Sequence, residues 1–352
     1  MSPDIKKILA EKKPSIDKII EKWIPRAYDE KTLARTAGTG NYDIDAVNKV
    51  ITEPIWDLLD RGGKRWRPTL MLLIIEALGK DPEEYVDFAA IPELIHNGTL
   101  MIDDIEDDSE LRRGKPCTHK KFGIDISINA GNMLYYLPMQ IVLKSKLEPE
   151  KKSKIYDTYI QEMINISFGQ GFDIAWHRGL GKADDITEAQ YLQMCAFKTG
   201  TLARMAAKLG AILADADDKT IEKIGRFAET IGVAFQIQDD ILNIQPTKEW
   251  GKEIGDDINE GKRTLMVIHT LKKASDEDKK RLIQILNMHT KDPELIKEAI
   301  DIMKKYGSIK YAKEYARKMV SDAWKDVEKI LPESDAKKIL KSFAEFLIER
   351  EI

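Results

Sequence analysis

The sequence predicts an all-α fold that forms one helical body. Apolar residues recur at three- and four-residue steps along almost the whole chain, as at Ile221, Ile224 and Phe227, which is the period of an amphipathic helix. No segment shows the alternating pattern of a half-buried strand. Nothing between Tyr42 and Leu271 resembles a linker, so we expect a single domain over residues 42–352.

The composition limits the class of protein. With 352 residues, 43% of them apolar, the chain can bury a large core. Its formal charge is -4 and its basic residues alternate with acidic ones, so we expect no nucleic-acid partner. The two cysteines lack the spacing of a zinc site and suit a reducing compartment. Because Met1–Pro14 has no apolar signal segment, we predict a cytoplasmic protein.

The N-terminal residues 1–41 are predicted to form a helical extension that ends in the loose segment Thr36–Gly40. The sequence leaves its role open between a lid, a dimer extension and a dispensable tail.

The segment Gly62–Pro68 is predicted to open a helix. Its two glycines let a ligand approach the backbone, and the helix N-terminus favours an anion. Lys64 and Arg67 add positive charge. The alternative is an ordinary basic turn before a helix.

Six carboxylates crowd into the eight residues from Asp103 to Glu110, directly after an apolar run. Like charges at helical spacing repel by about 0.2–0.5 kcal/mol per pair, so a cation should compensate them. At about 100° per residue, His96, Asp103 and Asp107 share one helix face. The alternative is a solvated acidic face.

The next elements are predicted from interruptions and caps. The most apolar stretch, Ile126–Leu143, is interrupted by polar residues and Pro138, so we expect a buried helix and no stable membrane insertion. Thr187 and Gln190 have the spacing of a capping box, which predicts a helix carrying Tyr191–Leu209.

A second acidic cluster lies in an apolar helix, where spacings of three and four residues place four polar side chains on one side: Gln236, Asp239, Asp240 and Asn243. Two such clusters suit Mg²⁺, which takes oxygen ligands and is commonly completed by substrate phosphates. We therefore predict that the two acidic helices face one another across a diphosphate.

Further cations are needed to hold that diphosphate. Arg112 and Arg113 follow the first acidic cluster and have the geometry for a bidentate phosphate clamp, or for pairing with Asp108 and Glu110. Lys198 precedes Thr199, and the Gly251–Lys262 loop adds Lys252 and Lys262; solvated loop lysines are the alternative.

Together these motifs resemble the trans-isoprenyl diphosphate synthases over about Asp43–Leu271, and most closely the geranylgeranyl diphosphate synthases of eukaryotic and archaeal type. The matching segments occur in the family's order: Gly62–Pro68, Asp103–Asp107 with Arg112–Gly114, Gly169–Trp176, Lys198–Gly200, Phe235–Asp240 and Gly261–Lys262.

The resemblance implies a homodimer of isoprenoid synthase fold, with helices around a deep central cavity. It implies three Mg²⁺ ions per site and the following ligands for them: Asp103, Asp104, Asp107, Asp239 and Asp240, with Asn243 in place of the third aspartate of many members. Gln170 and Asp173 would support the metal shell.

The same resemblance assigns the two substrates. The residues for isopentenyl diphosphate would be Lys64, Arg67, His96 and Arg113. The residues for the allylic diphosphate would be Arg112, Lys198 and Lys262, while Thr199 and Gln236 would stabilise the allylic cation. The implied reaction is ionisation, condensation and proton elimination without a protein nucleophile.

In this family the positions four and five residues before the first acidic motif influence product length. Here they are Thr99 and Gly98, both small, which favours a C20 product over C15. Tyr135 or Tyr136 would form a deeper floor, or would pack the core. A product of C25 or longer is the alternative.

Competing functions make different predictions. A class I terpene cyclase usually has a glutamate where this chain has Thr247, and lacks the Gly-Gly-Lys-Arg segment. A non-catalytic partner subunit tends to lose aspartates that this chain keeps. A helical scaffold leaves the acidic clusters unexplained.

Overall fold

Helices make up almost all the regular structure of residues 3–180, 185–245 and 255–349, the parts of the chain that this computed structural model describes. Within those ranges the β structure is one short antiparallel ladder, in which Leu111–Arg112 (β1) pairs with Lys115–Pro116 (β2). The all-α prediction is confirmed. Lys252, a candidate cation, lies outside the described residues.

The helices divide into two compact units. The first unit comprises the chain up to Thr158 together with Ala206–Asp217 and Ser334–Ala336. Its helices up to Lys144 are α1 Ile5–Trp23, α2 Glu30–Ala37, α3 Ile44–Val47, α4 Glu53–Leu59, α5 Trp66–Ala77, α6 Ala90–Glu106, α7 Thr118–Phe122, α8 Ile124–Tyr136 and α9 Met139–Lys144. A π-helical turn at Asn48–Thr52 and a 3-10 helix at Pro82–Ala89 complete this part.

The second unit comprises Tyr159–Met205, Asp218–Glu333 and the residues from Lys337 onward. The remaining helices are α10 Pro149–His177, α11 Glu188–Cys195, α12 Thr201–Leu213, α13 Asp218–Ile244, α14 Asp256–Asn259, α15 Leu265–Lys273, α16 Asp276–Asn287, α17 Pro293–Lys305, α18 Ser308–Glu328 and α19 Asp335–Glu349. A π-helical turn at Ala196–Gly200 separates α11 from α12.

The predicted helix starts are confirmed. The Thr187 hydroxyl accepts a hydrogen bond from the backbone N–H of Gln190, whose side chain accepts one from the backbone of Thr187, so this capping box begins α11. The predicted helix over Tyr191–Leu209 is interrupted by the π-helical turn. The segment Gly62–Pro68 opens α5, as expected.

The N-terminal helix α1 is amphipathic and lies in the first unit. Ile5, Leu9, Ile16 and Ile20 are buried, and α1 packs on α5 and α6. Two helices, α1 and α2, lie before Gly38. The division of the chain at residues 41 and 42 stays a prediction.

The apolar stretch Ile126–Leu143 differs from its prediction. It forms parts of two helices, because α8 ends before Pro138 and α9 starts after it. Ile128 and Leu143 are exposed, so the prediction of one buried helix is wrong. In the described ranges no helix combines the length and apolarity needed to cross a bilayer.

Candidate active site

The basic loop before α5 is held by a buried arginine. Arg65 has a left-handed backbone conformation (φ 52°), which directs its side chain back under the loop. Its Nε donates to Asp17 Oδ1 of α1 at 2.7 Å, and its Nη1 donates to Glu93 Oε1 of α6 at 2.8 Å. A Cβ at Gly63 would lie 2.7 Å from that Nη1, so this position requires glycine. The loop is therefore fixed by two helices of the first unit.

A cluster of arginines in the same unit carries surplus positive charge. Arg67 is buried and stacks on Trp66, with its guanidinium carbon 4.4 Å from the ring centroid. Arg113 donates to the backbone oxygens of Gly62 and of Leu58, the latter at 3.2 Å. Burial, and then the charges of Arg65 and other nearby arginines, lower the pKa of Arg113 to about 10 despite Glu93. Charges that repel one another in this way favour a bound anion.

His96 of α6 lies within this cluster. Burial and then the charges of Arg67 and Arg113 lower the pKa of its imidazole well below the ordinary value of 6.5. His96 is therefore neutral at pH 7, and a neutral imidazole offers one hydrogen-bond donor to a phosphate oxygen. Lys64 is exposed at the rim of the loop.

The first acidic cluster lies at the C-terminal end of α6, with Asp107 as the residue after its last turn. Asp104 is fully buried. Its Oδ1 accepts hydrogen bonds from Nε of Arg112, at 2.7 Å, and from Nη2 of the same residue. Arg112 also lies 3.6 Å from Asp103. Asp108 and Glu110, the alternative partners predicted for the arginine pair, contact Lys120 at 2.8 and 2.9 Å.

Asp104 offers a direct test of whether this cluster suits a cation. Its Oδ2 is buried and has no hydrogen-bond partner among the described residues. A buried carboxylate oxygen without a donor is unfavourable, and a divalent cation would satisfy it. Across residues 3–180, 185–245 and 255–349, no three carboxylate, imidazole or thiol groups converge into a protein-only metal cage. Asp104 Oδ2 is thus an oxygen of this cluster that a hard cation would satisfy, with water and substrate as further ligands.

The second acidic cluster lies in the interior of α13. Asp240 is buried, and both of its oxygens accept hydrogen bonds: Oδ2 from the Tyr191 hydroxyl at 2.7 Å, and Oδ1 from Gln236 Nε2 at 2.8 Å. Burial, and then the charge of Asp257, raise the pKa of Asp240 to about 8. Gln236 in turn accepts a hydrogen bond from the Thr199 hydroxyl at 2.7 Å. The structure thus joins two predicted catalytic residues to a predicted metal ligand.

Two glycines let neighbouring helices approach the π-helical turn that carries Lys198 and Thr199. A Cβ at Gly169 of α10 would lie 2.6 Å from the carbonyl carbon of Phe197, and a Cβ at Gly232 of α13 would lie 2.6 Å from the Cα of Gly200. Such distances are too short for any side chain. The turn is therefore held between two backbones, and π-helical turns are frequent at functional sites.

Lys198 extends from this turn to Asp173 of α10, with Nζ to Oδ2 at 2.5 Å. Lys262 pairs with Glu260 and lies 3.7 Å from Asp257. Both predicted phosphate-binding lysines therefore lie among carboxylates of the second unit. Asp173, which the resemblance placed in support of the metal shell, orients Lys198 here.

Asn243 is engaged differently from its predicted role as a metal ligand. Its Oδ1 accepts a hydrogen bond from the backbone N–H of Asp257 at 3.2 Å, and its own carbonyl accepts one from Gly255 at 2.9 Å. These bonds fix the start of α14. The structure favours a positioning role for Asn243.

The positions expected to set product length lie on α6 and α8. A Cβ at Gly98 would lie 2.8 Å from the Gly131 oxygen and 3.1 Å from Cε1 of Tyr135, so helix packing alone requires a glycine there. Thr99 donates its hydroxyl to the His96 carbonyl at 2.8 Å. Tyr136 is 69% exposed, so in the single chain only Tyr135 of the two tyrosines contacts this region.

Sequence reasoning missed three residues that hold the site: Asp17, Glu93 and Tyr191. Asp17 and Glu93 lie 48 and 28 residues from Arg65, so no local pattern links them. A signal existed for Tyr191, because a tyrosine at an apolar helical position needs a partner for its hydroxyl when it is buried.

The chain is similar to known proteins over most of its length. A family model described as polyprenyl synthetase matches residues 48–303. The chain is 39% identical over 295 residues to the short chain isoprenyl diphosphate synthase of Methanothermobacter thermautotrophicus, covering 84% of this chain and 88% of that protein. It is 35% identical over 313 residues to the geranylfarnesyl diphosphate synthase of Natronomonas pharaonis, covering 83% and 88%. The crystal structure of geranylgeranyl pyrophosphate synthetase from Pyrococcus horikoshii superposes with a TM-score of 0.85 at 33% identity, covering 98% of each chain.

Proposed function

The chain belongs to the polyprenyl synthetase family and is a trans-prenyltransferase, and we propose that it condenses isopentenyl diphosphate with an allylic diphosphate to give geranylgeranyl diphosphate. The observation that carries this proposal lies in the first unit, where His96, which lies within the arginine cluster, and a buried Asp104 oxygen that lacks a donor belong to one helix, α6. The first feature suits a diphosphate, and the second suits a cation.

Isopentenyl diphosphate is assigned to the arginine cluster. Arg67 and Arg113 supply two guanidinium groups, Lys64 an ammonium group, and His96 a neutral donor. Arg65 has its guanidinium engaged by Asp17 and Glu93, so it positions the loop without contacting the substrate. Burial, and then the nearby arginines, lower the pKa of Arg113, and a diphosphate here would stabilise its charged form.

Mg²⁺ is assigned to both acidic clusters, with three ions per site. Asp103, Asp104 and Asp107 would bind it in the first unit, and Asp239 and Asp240 in the second. When bound, Mg²⁺ would neutralise the allylic diphosphate and assist its departure. Arg112, which neutralises Asp104, would help to hold the allylic diphosphate. The resemblance gives Lys198 and Lys262 of the second unit a role in binding the same substrate.

The protein's own groups then stabilise the charge that develops. The hydroxyl of Thr199 and the amide of Gln236 are oriented by their mutual hydrogen bond, so their dipoles are fixed before the allylic cation forms. The isopentenyl double bond attacks that cation, and the proton lost afterwards goes to the released diphosphate. Catalysis on this view is positioning and electrostatic stabilisation.

A C20 product is supported by the small residue Thr99 before the first acidic motif, and by similarity to the geranylgeranyl pyrophosphate synthetase from Pyrococcus horikoshii. The relative named geranylfarnesyl diphosphate synthase favours C25 as the alternative. Tyr135, which lies against Gly98, is the candidate residue that limits the product.

The experiment is an elongation assay with Mg²⁺, labelled isopentenyl diphosphate and farnesyl diphosphate, followed by sizing of the products. A C20 diphosphate as the main product is the expected result. A main product of C25 or longer would contradict the chain length alone. A cyclic hydrocarbon without elongation would favour a cyclase, and no turnover would favour a non-catalytic partner subunit.

A homodimer in the cytoplasm completes the proposal. Four apolar residues of α10 recur at four-residue steps and are 37–56% exposed: Ile160, Ile164, Phe168 and Phe172. An apolar stripe of this kind suits a second copy of the chain. Both cysteines are buried and unpaired with each other, and burial raises the pKa of Cys117 to about 12, which suits a reducing compartment.

A further inference from the structure

Four side chains of the second unit form a continuous hydrogen-bonded relay. Thr199 on the π-helical turn contacts Gln236 of α13, Gln236 contacts Asp240 one turn later, and Asp240 contacts Tyr191 of α11. The three donor–acceptor distances are 2.7, 2.8 and 2.7 Å. Tyr191 is 1% exposed and Asp240 is 5% exposed, so the Tyr191 end of the relay is shielded from water.

The chemistry of these groups sets the direction of every hydrogen bond. A cation would bind Asp240 as the ionised carboxylate, and in that form the carboxylate only accepts hydrogen bonds. The phenol therefore donates to Asp240, and the amide nitrogen of Gln236 must face the same carboxylate. The amide oxygen then faces Thr199, whose hydroxyl must donate to it. The lone pairs of the Thr199 oxygen are left to face other groups.

We propose that Tyr191 is a positioning residue of the prenyl transfer reaction, which holds Asp240 from the side opposite Gln236 and so sets the orientation of Gln236 and Thr199. The inference rests on the proposed function, because Asp240 is assigned there as a metal ligand. Tyr191 is buried behind Asp240 and acts through it. With the phenol in place, the carboxylate keeps one orientation, and the relay presents an oxygen lone pair of Thr199 to the allylic cation.

The chain offers a matched control for the loss of this hydroxyl. Tyr311 of α18 also donates its hydroxyl to a carboxylate, that of Glu188, at 2.8 Å from each oxygen, and it stacks on His269. Tyr311 belongs to the same unit and to no part of the proposed site. Tyr191→Phe and Tyr311→Phe remove the same group, so a purely structural effect should appear in both variants.

The test combines metal binding, measured without the prenyl substrates, with steady-state kinetics. Mn²⁺ binding, measured by electron paramagnetic resonance with and without inorganic diphosphate, should weaken about tenfold in Tyr191→Phe and stay within about twofold in Tyr311→Phe. The turnover number should fall about 10- to 100-fold in Tyr191→Phe, while KM for isopentenyl diphosphate stays unchanged. Equal Mn²⁺ binding and equal turnover in the two variants would overturn the proposal.

A double-mutant cycle tests the relay itself and does not depend on the stability of one variant. Thr199→Val removes the other end of the relay and keeps the shape of the side chain. If the four groups act as a unit, the double variant should lose less turnover than the product of the two single losses, of Thr199→Val and Tyr191→Phe, predicts. We expect the difference to be about fivefold or more. Multiplicative losses would contradict the relay. A wild-type protein that makes no prenyl product would instead contradict the proposed function.

Discussion

Individual side chains show most clearly how burial gives an ordinary residue a special role. Burial, and then the charges of Arg67 and Arg113, lower the pKa of His96, so this histidine does not take up a proton easily. Burial is also the largest cause of the lowered pKa of Arg113, and the nearby arginines add to it. Buried positive groups of this kind favour a bound anion.

The first prediction concerns the stability of the protein at mildly acid pH. The pKa of His96 is lowered from 6.5, so below that pH the unfolded chain binds a proton that the folded chain does not. The contribution of His96 to the free energy of unfolding should therefore fall as the pH decreases from 7.5 to 5.5. Urea titrations should show a smaller fall in His96→Gln.

His289→Gln is the control, because that imidazole is exposed at the end of α16. It should reproduce the wild-type pH dependence. Parallel losses of stability in wild type and His96→Gln would contradict the assigned environment of His96.

The sequence predicted site residues that belong to a local motif. It did not predict residues whose role depends on a contact with a residue distant in the sequence. Local motifs carry seven of the site residues: Asp103, Asp104, Asp239, Asp240, Arg67, Arg113 and Lys198. In the structure Arg67, Asp104 and Asp240 are buried, and Asp103, Arg113 and Lys198 lie beside charged groups. The contact of Tyr191 with Asp240 spans 49 residues and has no local signature. The amide oxygen of Asn243 suits a metal ligand by its chemistry. Its hydrogen bond with the backbone N–H of Asp257 could be found only from the folded structure.

At the scale of single elements, the π-helical turn at Ala196–Gly200 was not predictable. Its residues follow the helical period, and the extra residue in the turn becomes apparent only from its two close neighbours, Gly169 and Gly232. The helix starts, in contrast, were predictable, because the Thr187 capping box and the glycines before α5 act through bonds to residues a few positions away.

Replacing either of two glycines of α10 by alanine should change the stability of the protein, but in opposite directions. Gly169→Ala would place a methyl group against the backbone of the π-helical turn, so it should destabilise the protein by about 1–3 kcal/mol and lower turnover through Lys198 and Thr199. Gly171→Ala meets no atom within 4 Å in the described chain and should stabilise α10 by about 0.5–1 kcal/mol. Denaturant titrations of both variants check this, and stability changes of the same sign would contradict it.

The N-terminal helix α1 supports the basic loop through one ion pair. Asp17→Asn keeps the shape of the side chain and removes the charge that faces the buried Arg65. The loop should loosen, so KM for isopentenyl diphosphate should rise about three- to tenfold while KM for the allylic substrate changes little. Steady-state kinetics with each substrate varied in turn measure this.

Asp45→Asn is the matched control, because Asp45 makes an exposed ion pair with Lys49. It should leave both KM values unchanged. Equal KM values for isopentenyl diphosphate in Asp17→Asn and wild type would show that α1 is dispensable to the site.

For the whole molecule, hydrophobic periodicity was enough to predict the all-α class, because the period of 3.6 is a property of helices alone. It did not predict which apolar residues stay exposed. The stripe on α10 has the same spacing as a buried face, and only the folded chain shows that Ile160 and Phe168 are more than half exposed.

This stripe makes a prediction about assembly. Phe168→Lys places a charge in the middle of the stripe and should shift the sedimentation of the protein from dimer to monomer at micromolar concentration. Met288→Lys changes another exposed apolar residue, at the end of α16, and should remain a dimer. A wild-type monomer, or a Phe168→Lys dimer of unchanged affinity, would contradict the proposed interface.

The claim on which the whole account depends is that buried aspartates hold a diphosphate through divalent ions. Calorimetric titration with an unreactive thio analogue of farnesyl diphosphate, with and without Mg²⁺, tests it most directly. Binding should require Mg²⁺ and should weaken at least about tenfold in Asp104→Asn and in Asp240→Asn. Asp108→Asn, in the same acidic run but with its side chain 84% exposed, should bind like wild type. Tight binding without Mg²⁺, or equal binding by all three variants, would contradict the claim.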